Sequence, residues 1–356
     1  MQVVSLVVLG AGVAAAGGVS VSQTVAGGGV ALAPATERGG GVRAASQPAQ
    51  PSESEAFQAV RRPGSVDLRA EYNLSDIRIP EEQIHTLLPR DAIPALTDPK
   101  RQPASEADWL SEQARIIVVR VGEEVLGVPL AVLDWHEIVN TTVGGEPVAA
   151  TYCPLCDSAT IFNRRVELPA EEGSDPETVV LEFGVSGALY NSNVLMYDRR
   201  DKGLWSQLRM EAVSGPLAGT TLDMLPVEII PLSRFKATYP GAPLVSNETG
   251  HQRNYGRSPY ESYFADSKLM VPVLGVGDAL PRKTLGVGIA TDEQAWFVPE
   301  SLCRDGFTLT IPEGEVRLNA DEGGVRVDAI PDGVRSAQTF YYAWSAFYPE
   351  TRVVGP

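Results

Sequence analysis

The sequence predicts a β-rich α+β fold, with mainly antiparallel strands, few short helices and two halves related by a short internal repeat. Three observations lead there. Runs of branched and aromatic residues, bounded by Gly, Pro, Asn and Asp, recur along most of the chain. Prolines fall too often for long helices. Two pairs of segments also resemble each other in the same order along the chain.

The elements follow in order. Residues 1–33 are an uncharged apolar run, MQVVSLVVLGAGVAAAGGVSVSQTVAGGG and onward. They read as a signal peptide, with small residues at Thr24-Val25-Ala26 for cleavage, or as an N-terminal anchor. Either way the rest is expected to be extracytoplasmic: periplasmic, secreted or at the cell surface. Residues 34–60, rich in Pro, Gly, Ser, Gln and Ala, read as a disordered linker. Residues 61–356 are expected to form a single β-rich domain.

Within that domain, prolines at 80, 89, 94, 99 and 103 forbid a long helix, and SEADWL (105–110) reads as a short capped one. Strands are expected at 114–121, 125–130, 146–153, 158–166, 178–186 and 193–200. Leu130, Leu133, Ile138 and Val139 fall at helical spacing behind Pro129, predicting a helix over 129–140. A further short helix is expected at 233–239, ended by Pro240-Gly241. The repeat pairs IVVRVGEEVLGVPLAVL (117–133) with LGVGIATDEQAWFVPESL (285–302), and PLSRFKATYPGAPLVS (231–246) with YYAWSAFYPETRVVG (341–355). It defines halves of about 110–248 and 280–356. The second half has no CxxC, and its Gly306 stands where the first half has His136, so the chemistry is expected in the first half.

Composition narrows the function. The chain has 356 residues, 44% hydrophobic and 21% charged, which suits a large core. Its 29 basic and 45 acidic residues give a net charge of −16. A nucleic-acid partner, which needs a basic face, is therefore not expected. Any membrane tether is expected only through the N-terminus. GAGVAAAGG lies in the export segment, and no phosphate loop or dinucleotide fingerprint is present.

The chemistry concentrates in TYCPLCDSATIF (151–162), where Cys153 and Cys156 frame Pro154 and Leu155. Such spacing brings two thiols within reach of one disulfide or one metal ion. A strand after the second cysteine, rather than a helix, disfavours a thioredoxin fold but not dithiol redox chemistry. Two cysteines are only half a zinc site. His136, and Met196 in NVLMYD, would complete a soft set suited to copper, while zinc is the other metal considered. Glu137 and Asp157 are outer-shell or hard-ligand candidates. Against this stand plainer readings: a small structural disulfide, a buried satisfied His136, and a core Met196. Cys303 reads as a buried thiol, and His85 and His251 as surface residues.

A second polar cluster spans 190–207. Asn191, Asp198, Arg199, Trp205, Ser206 and Gln207, together with Trp135, Glu137 and Ser186, are expected to line a pocket for a small molecule, glycan or peptide. Gly184-Val185-Ser186-Gly187 misses the nucleophile-elbow spacing by one residue, so a hydrolase using Ser186 or Asp198 is the third reading.

DAIPALTDPK, ASEADWL, LDWHEIVN, TVGGEPVAATYCPLCDSATIFNRR, LEFGVSGALYNSNVLMYDRR, GLWSQLRMEAVSGPLAG and RNYGRSPYESY together resemble a large family of exported bacterial and archaeal proteins classed as a domain of unknown function. The resemblance spans about residues 85–350. It implies that Trp135, His136, Glu137, Cys153, Cys156, Ser186, Asn191, Asp198 and Trp205 to Gln207 belong to the family pattern. The chain departs from that pattern at Asn140-Thr141, Gly203 and Met210, and Thr141 removes a carboxylate expected near His136.

Overall fold

The computed structural model describes residues 67–168 and 175–355. The leader and linker readings fall on residues outside this set. Among the described residues the five α-helices, Leu68–Glu71, Leu130–His136, Leu232–Thr238, Glu261–Ala265 and Tyr341–Phe347, are at most 7 residues long. None is long and apolar enough to cross a membrane.

A nine-stranded sheet forms the middle layer. Its order is Leu96–Thr97, Ile138–Val143, Glu146–Cys153, Ser158–Asn163, Arg335–Phe340, Leu285–Ala290, Ala295–Pro299 and Arg352–Val353, with Met224–Leu225 also pairing on Ser158–Asn163. Most of its pairs are antiparallel. The EPVAATYC strand shows why the sequence folds this way. With a side-chain period of two, Ala149 and Cys153 point to one core, and Val148, Ala150 and Tyr152 to another. A strand covered on both faces must be apolar on both, and this run is.

On the first face lies a five-stranded antiparallel sheet in the order Ile84–Thr86, Phe183–Tyr190, Asn193–Asp198, Leu204–Ser206 and Glu211–Ala212. It brings Phe183, Val185, Met196 and Trp205 against Ala149, Phe162 and the two cysteines. Trp205 is fully buried, and a side chain of that size contributes roughly 2–3 kcal/mol by leaving water. Asn140 clamps the layers together: its amide donates to Phe183 O at 2.8 Å and accepts from Phe183 N at 2.9 Å.

On the second face a sheet ordered Glu228–Pro231, Arg115–Val121, Glu124–Pro129, Pro243–Val245 and Arg101–Pro103 packs with helix Leu130–His136 against Val148, Ala150 and Tyr152. A three-stranded meander, Phe307–Ile311, Gly314–Asp321 and Gly324–Ala329, covers Val287, Ile289, Trp296 and Val298.

Two local expectations need correction. The helix expected over 129–140 stops at His136. Glu137 takes φ +55°, and Ile138 and Val139 open a strand. Branched residues at apparent helical spacing were in fact strand residues facing opposite cores. The helix expected at 105–110 is a 3₁₀ turn, Ala104–Glu106.

Candidate functional site

The CxxC closes a hairpin. Cys153 pairs with Ser158, and residues 154–157 form the loop between them. Cys156 N donates to Cys153 O at 3.1 Å, a turn that Pro154 favours by presetting its φ. Asp157 leaves the loop at φ +46°. Its buried carboxylate is held by Arg115 Nη1 at 2.9 Å and by the Tyr152 hydroxyl at 2.8 Å.

Three other parts of the chain press on this loop. Asn191 and Ser192, at φ +49° and +63°, form the two-residue turn between Phe183–Tyr190 and Asn193–Asp198. Two positive φ values match the right-handed twist of a hairpin, which accounts for the LYNS motif. The turn carbonyl of Ser192 lies 3.2 Å from Cys156 Sγ and 4.0 Å from Cys153 Sγ. The Ser192 hydroxyl beside it is buried without a hydrogen-bond partner. From the C-terminal region, Phe340 N donates to Cys156 O at 2.8 Å, and the Tyr342 hydroxyl donates to Leu155 O at 2.7 Å and lies 3.5 Å from Cys156 Sγ. From the 249–268 segment, the Tyr263 hydroxyl donates to Leu155 O at 3.0 Å.

The two cysteines are free and buried, and both sulfurs approach the Ser192 carbonyl. The backbone N–H groups of Cys156 and Val194 favour charge on the Cys153 sulfur. Burial nevertheless dominates and pushes the Cys153 thiol well above its usual range. The Glu137 carboxyl, also buried, is raised for the same reason and then by Cys153 and Asp134. Asp134 is half-buried and raised to about 6, chiefly by desolvation, while a Ser258 hydrogen bond opposes the shift. Tyr260 completes the group: burial, Glu137, Asp134 and Cys153 all favour its protonated phenol. The loop thus adjoins groups whose protonated forms burial favours, though Asp134, at about 6, is mostly ionised at neutral pH.

The expected residues divide into two sets. Met196 packs in the same apolar cluster as both cysteines. His136 does not turn to them. Its Nδ1 meets Pro94 O at 2.7 Å, where it must carry the proton, so Nε2 accepts from the Tyr255 hydroxyl at 2.7 Å. Burial lowers its pKa to about 4. With both nitrogens in use, the four-ligand metal set does not assemble. Among the described residues no group of three or more His, Cys, Asp or Glu is placed to hold a metal ion. A metal here would rest on the two sulfurs.

The residues of the 190–207 cluster mostly bond one another. Gln207 accepts from Ser158 Oγ at 2.7 Å and Asn193 Nδ2 at 2.8 Å, and donates to Thr151 Oγ1 at 2.9 Å. Trp205 Nε1 donates to Asp198 at 2.9 Å, and Ser206 Oγ accepts from Arg209 N at 3.3 Å. Asn191 Nδ2 donates to Ala346 O at 3.2 Å. Arg199 pairs with Asp91 and Glu182, not with Asp198. Ser186 Oγ donates to Leu195 O and accepts from Ala188 N at 2.9 Å, where the strand register shifts. Trp135 is half-buried beneath the Arg253 guanidinium, 5.8 Å from the ring centroid.

Sequence reasoning missed Tyr260, Tyr263, Tyr342, Asp134 and Arg115. The tyrosines stand in RNYGRSPYESY and YYAWSAF, whose aromatic density was the available signal. Arg115 and Asp134 carried none, because only the tertiary fold brings them near Asp157.

No curated protein and no solved structure matches the chain. The family described as a protein of unknown function, DUF3179, matches residues 90–324, well over half of the chain and every residue of the CxxC hairpin. The chain that folds its cysteine loop beneath the Asn191-Ser192 turn belongs to that family.

Proposed function

We propose that this is an extracytoplasmic protein whose Cys153–Cys156 pair carries out thiol–disulfide redox chemistry. One observation carries the reading. Two free thiols sit three positions apart in a loop held by three separate parts of the chain, with both sulfurs turned to the Ser192 carbonyl. The apolar, uncharged leader supports export, and outside the cytoplasm such a pair is free to cycle. The balance is simple. Two thiols and a substrate disulfide give the Cys153–Cys156 disulfide and two substrate thiols. Burial favours the protonated Cys153 thiol, which makes it a poor leaving group and favours a disulfide of low potential.

Copper or zinc on the two sulfurs is the second reading, favoured by the convergence of both thiols with Met196 in one cluster. One experiment separates them: counting thiols and bound metal in the exported protein and in its Cys153→Ser/Cys156→Ser variant. Reversible loss of two thiols on exposure to a disulfide, without metal, supports redox chemistry. Stoichiometric metal lost in the variant supports the second reading.

The two halves are, on the same proposal, copies of one unit. Glu228–Pro231, Arg115–Val121, Glu124–Pro129 and Pro243–Val245 have the order of Arg335–Phe340, Leu285–Ala290, Ala295–Pro299 and Arg352–Val353. In each unit the last strand pairs in parallel. Arg115 is as far from Pro129 as Leu285 is from Pro299, and the partners match: Ile116 with Pro129, Gly286 with Pro299. Pro231 is as far from Leu244 as Phe340 is from Val353. A three-stranded meander interrupts both units at the same point.

A further inference from the structure

Two phenol hydroxyls converge on one carbonyl beside the thiol pair. The Tyr342 hydroxyl donates to Leu155 O at 2.7 Å, and the Tyr263 hydroxyl donates to the same oxygen at 3.0 Å. The two hydroxyls lie 3.4 Å apart. A carbonyl oxygen has two lone pairs, so it takes both protons, and one donor is enough to satisfy it. Tyr342, 0% exposed, has a further neighbour: its hydroxyl lies 3.5 Å from Cys156 Sγ, and either group can donate there. The same sulfur lies 3.2 Å from Ser192 O, which can only accept.

These contacts answer differently to the two charge states of Cys156. As a thiol it donates to Ser192 O, and both phenols donate to Leu155 O. As a thiolate it has no proton for Ser192 O and needs a donor. Of these two neighbours only Tyr342 carries one. Turning the Tyr342 proton from Leu155 O to the sulfur makes a charge-assisted bond, about twice as strong as a neutral one. Leu155 O is not stranded by that turn, because Tyr263 still donates to it. Tyr263 is itself held in place: Lys283 Nζ sits 3.4 Å from its ring centroid and donates to Tyr263 O. Phe340 N donates to Cys156 O at 2.8 Å, which anchors the cysteine beside the hydroxyl.

We infer that Tyr342 is a catalytic residue of the thiol–disulfide exchange, the donor to the Cys156 thiolate, and that Tyr263 is the positioning residue that frees its proton. This rests on the redox reading above. In the first step one cysteine, as the thiolate, attacks a sulfur of R–S–S–R. The substrate S–S bond breaks, and the first RS⁻ leaves with the electron pair and takes up a proton. In the second step the other cysteine, as the thiolate, attacks the chain's sulfur in the mixed disulfide. The Cys153–Cys156 bond forms, and the second RS⁻ leaves and is protonated. The pair loses two electrons and two protons, and two RSH are produced. Cys156 is the thiolate in one of these steps whichever sulfur attacks first, and it is the leaving group of that step in reverse. The Tyr342 bond to sulfur is made only while the sulfur carries charge. It therefore lowers the barrier in both directions and leaves the equilibrium where it was.

The test isolates that sulfur in the full chain with Cys153→Ser and Cys303→Ser. The probe is bis(2-hydroxyethyl) disulfide, and the reverse reaction uses its own thiol, 2-mercaptoethanol. Mixed-disulfide formation and cleavage are followed by intact mass, at reagent levels where the rates rise in proportion. Tyr342→Phe is expected to slow both directions by the same factor, about ten-fold, with the equilibrium constant unchanged. Tyr263→Phe is expected to slow both directions by a smaller factor and to add nothing to Tyr342→Phe. Rates left unchanged by Tyr342→Phe, or slowed in one direction with a shifted equilibrium, overturn the inference while leaving the redox reading in place. A Cys156 that reacts only after denaturation overturns the inference as well. If Tyr342→Phe does not fold, Tyr263→Phe decides alone, and unchanged rates there overturn it. With both cysteines of the pair present, failure of the probe to remove two thiols from the folded chain overturns the redox reading and the inference together.

Discussion

The two four-stranded units share strand order and register but differ where their meanders turn. In the first, Glu146–Cys153 and Ser158–Asn163 are joined by four residues, Pro154 to Asp157. In the second, Gly314–Asp321 and Gly324–Ala329 are joined by the two residues Glu322 and Gly323. The first unit also has a full helix, Leu130–His136, after its second strand, where the second has the 3₁₀ turn Glu300–Leu302. The meanders cross over: Ser158–Asn163 pairs with Arg335–Phe340 of the other unit, and Gly323 stands against the backbone of Ile229 and Ile230. Each unit therefore carries one hairpin tip. One is tight. The other is two residues longer, with room for a dithiol and a neighbouring carboxyl.

Both tips are pinned by an Arg–Asp pair, which gives the strongest way to break the comparison. Arg115 joins the tips directly, donating to Asp157 in one and, through Nε at 2.8 Å, to Gly323 O in the other. The Asp157 side chain is only 7% exposed. Arg115→Ala strands a buried carboxylate and is expected to cost about 3 kcal/mol, measured by urea unfolding. A loss below about 1 kcal/mol would show that the tip tolerates an unpaired Asp157.

The next effect concerns the network that ties the first tip to the Asn193–Asp198 layer. Gln207→Ala leaves Asn193, Ser158 and Thr151 short of partners and is expected to cost about 2 kcal/mol. Near-neutral behaviour would mean that these groups find other partners.

His136 sharpens the contrast through pH: it lies seven residues after Pro129, where Gly306 lies seven after Pro299. Its folded pKa of about 4 lies below the ordinary 6.5, so between those values the unfolded chain binds more protons. Stability is expected to rise with pH across about 4 to 6.5 from this group and to be level above it. His136→Gln should flatten that segment in unfolding titrations, and an unchanged slope would assign it to other groups.

The smallest effect is expected at the second tip. Arg234 pairs with Asp321 at 2.6 Å, but the side chains are 41% and 20% exposed. Arg234→Ala should cost no more than about 1 kcal/mol in the same unfolding measurement. A loss equal to that of Arg115→Ala would erase the distinction between the tips.

Much of this was legible locally. EPVAATYC, SATIFN and NVLMYD read as strands because branched and aromatic residues dominate them, and they form strands that start where expected and end up to three residues early. The CxxC falls between the strands expected at 146–153 and 158–166, where the hairpin loop lies. The polar residues of 190–207 read as a pocket but are internal joints. Density of polar groups in a sequence does not say whether their partners are substrate or one another. His136 read as a ligand beside the cysteines, yet its ring is engaged by Pro94 and by Tyr255, 119 residues later.

What the sequence by itself determined is what depends on neighbours in the chain: strand propensity, the spacing of the thiols and the short helices. What only the tertiary structure decided is which groups surround the thiols. The Asn191-Ser192 turn, Tyr260 with Tyr263, Tyr342 and Arg115 come from four separate stretches. Their meeting is set by sheet order, by the crossed meanders and by a φ of +55° at Glu137 that ends a helix. Burial then sets the protonation states of Glu137, Cys153 and His136, because desolvation is the largest influence on each. Burial is a property of the whole fold, and no local stretch of sequence encodes it.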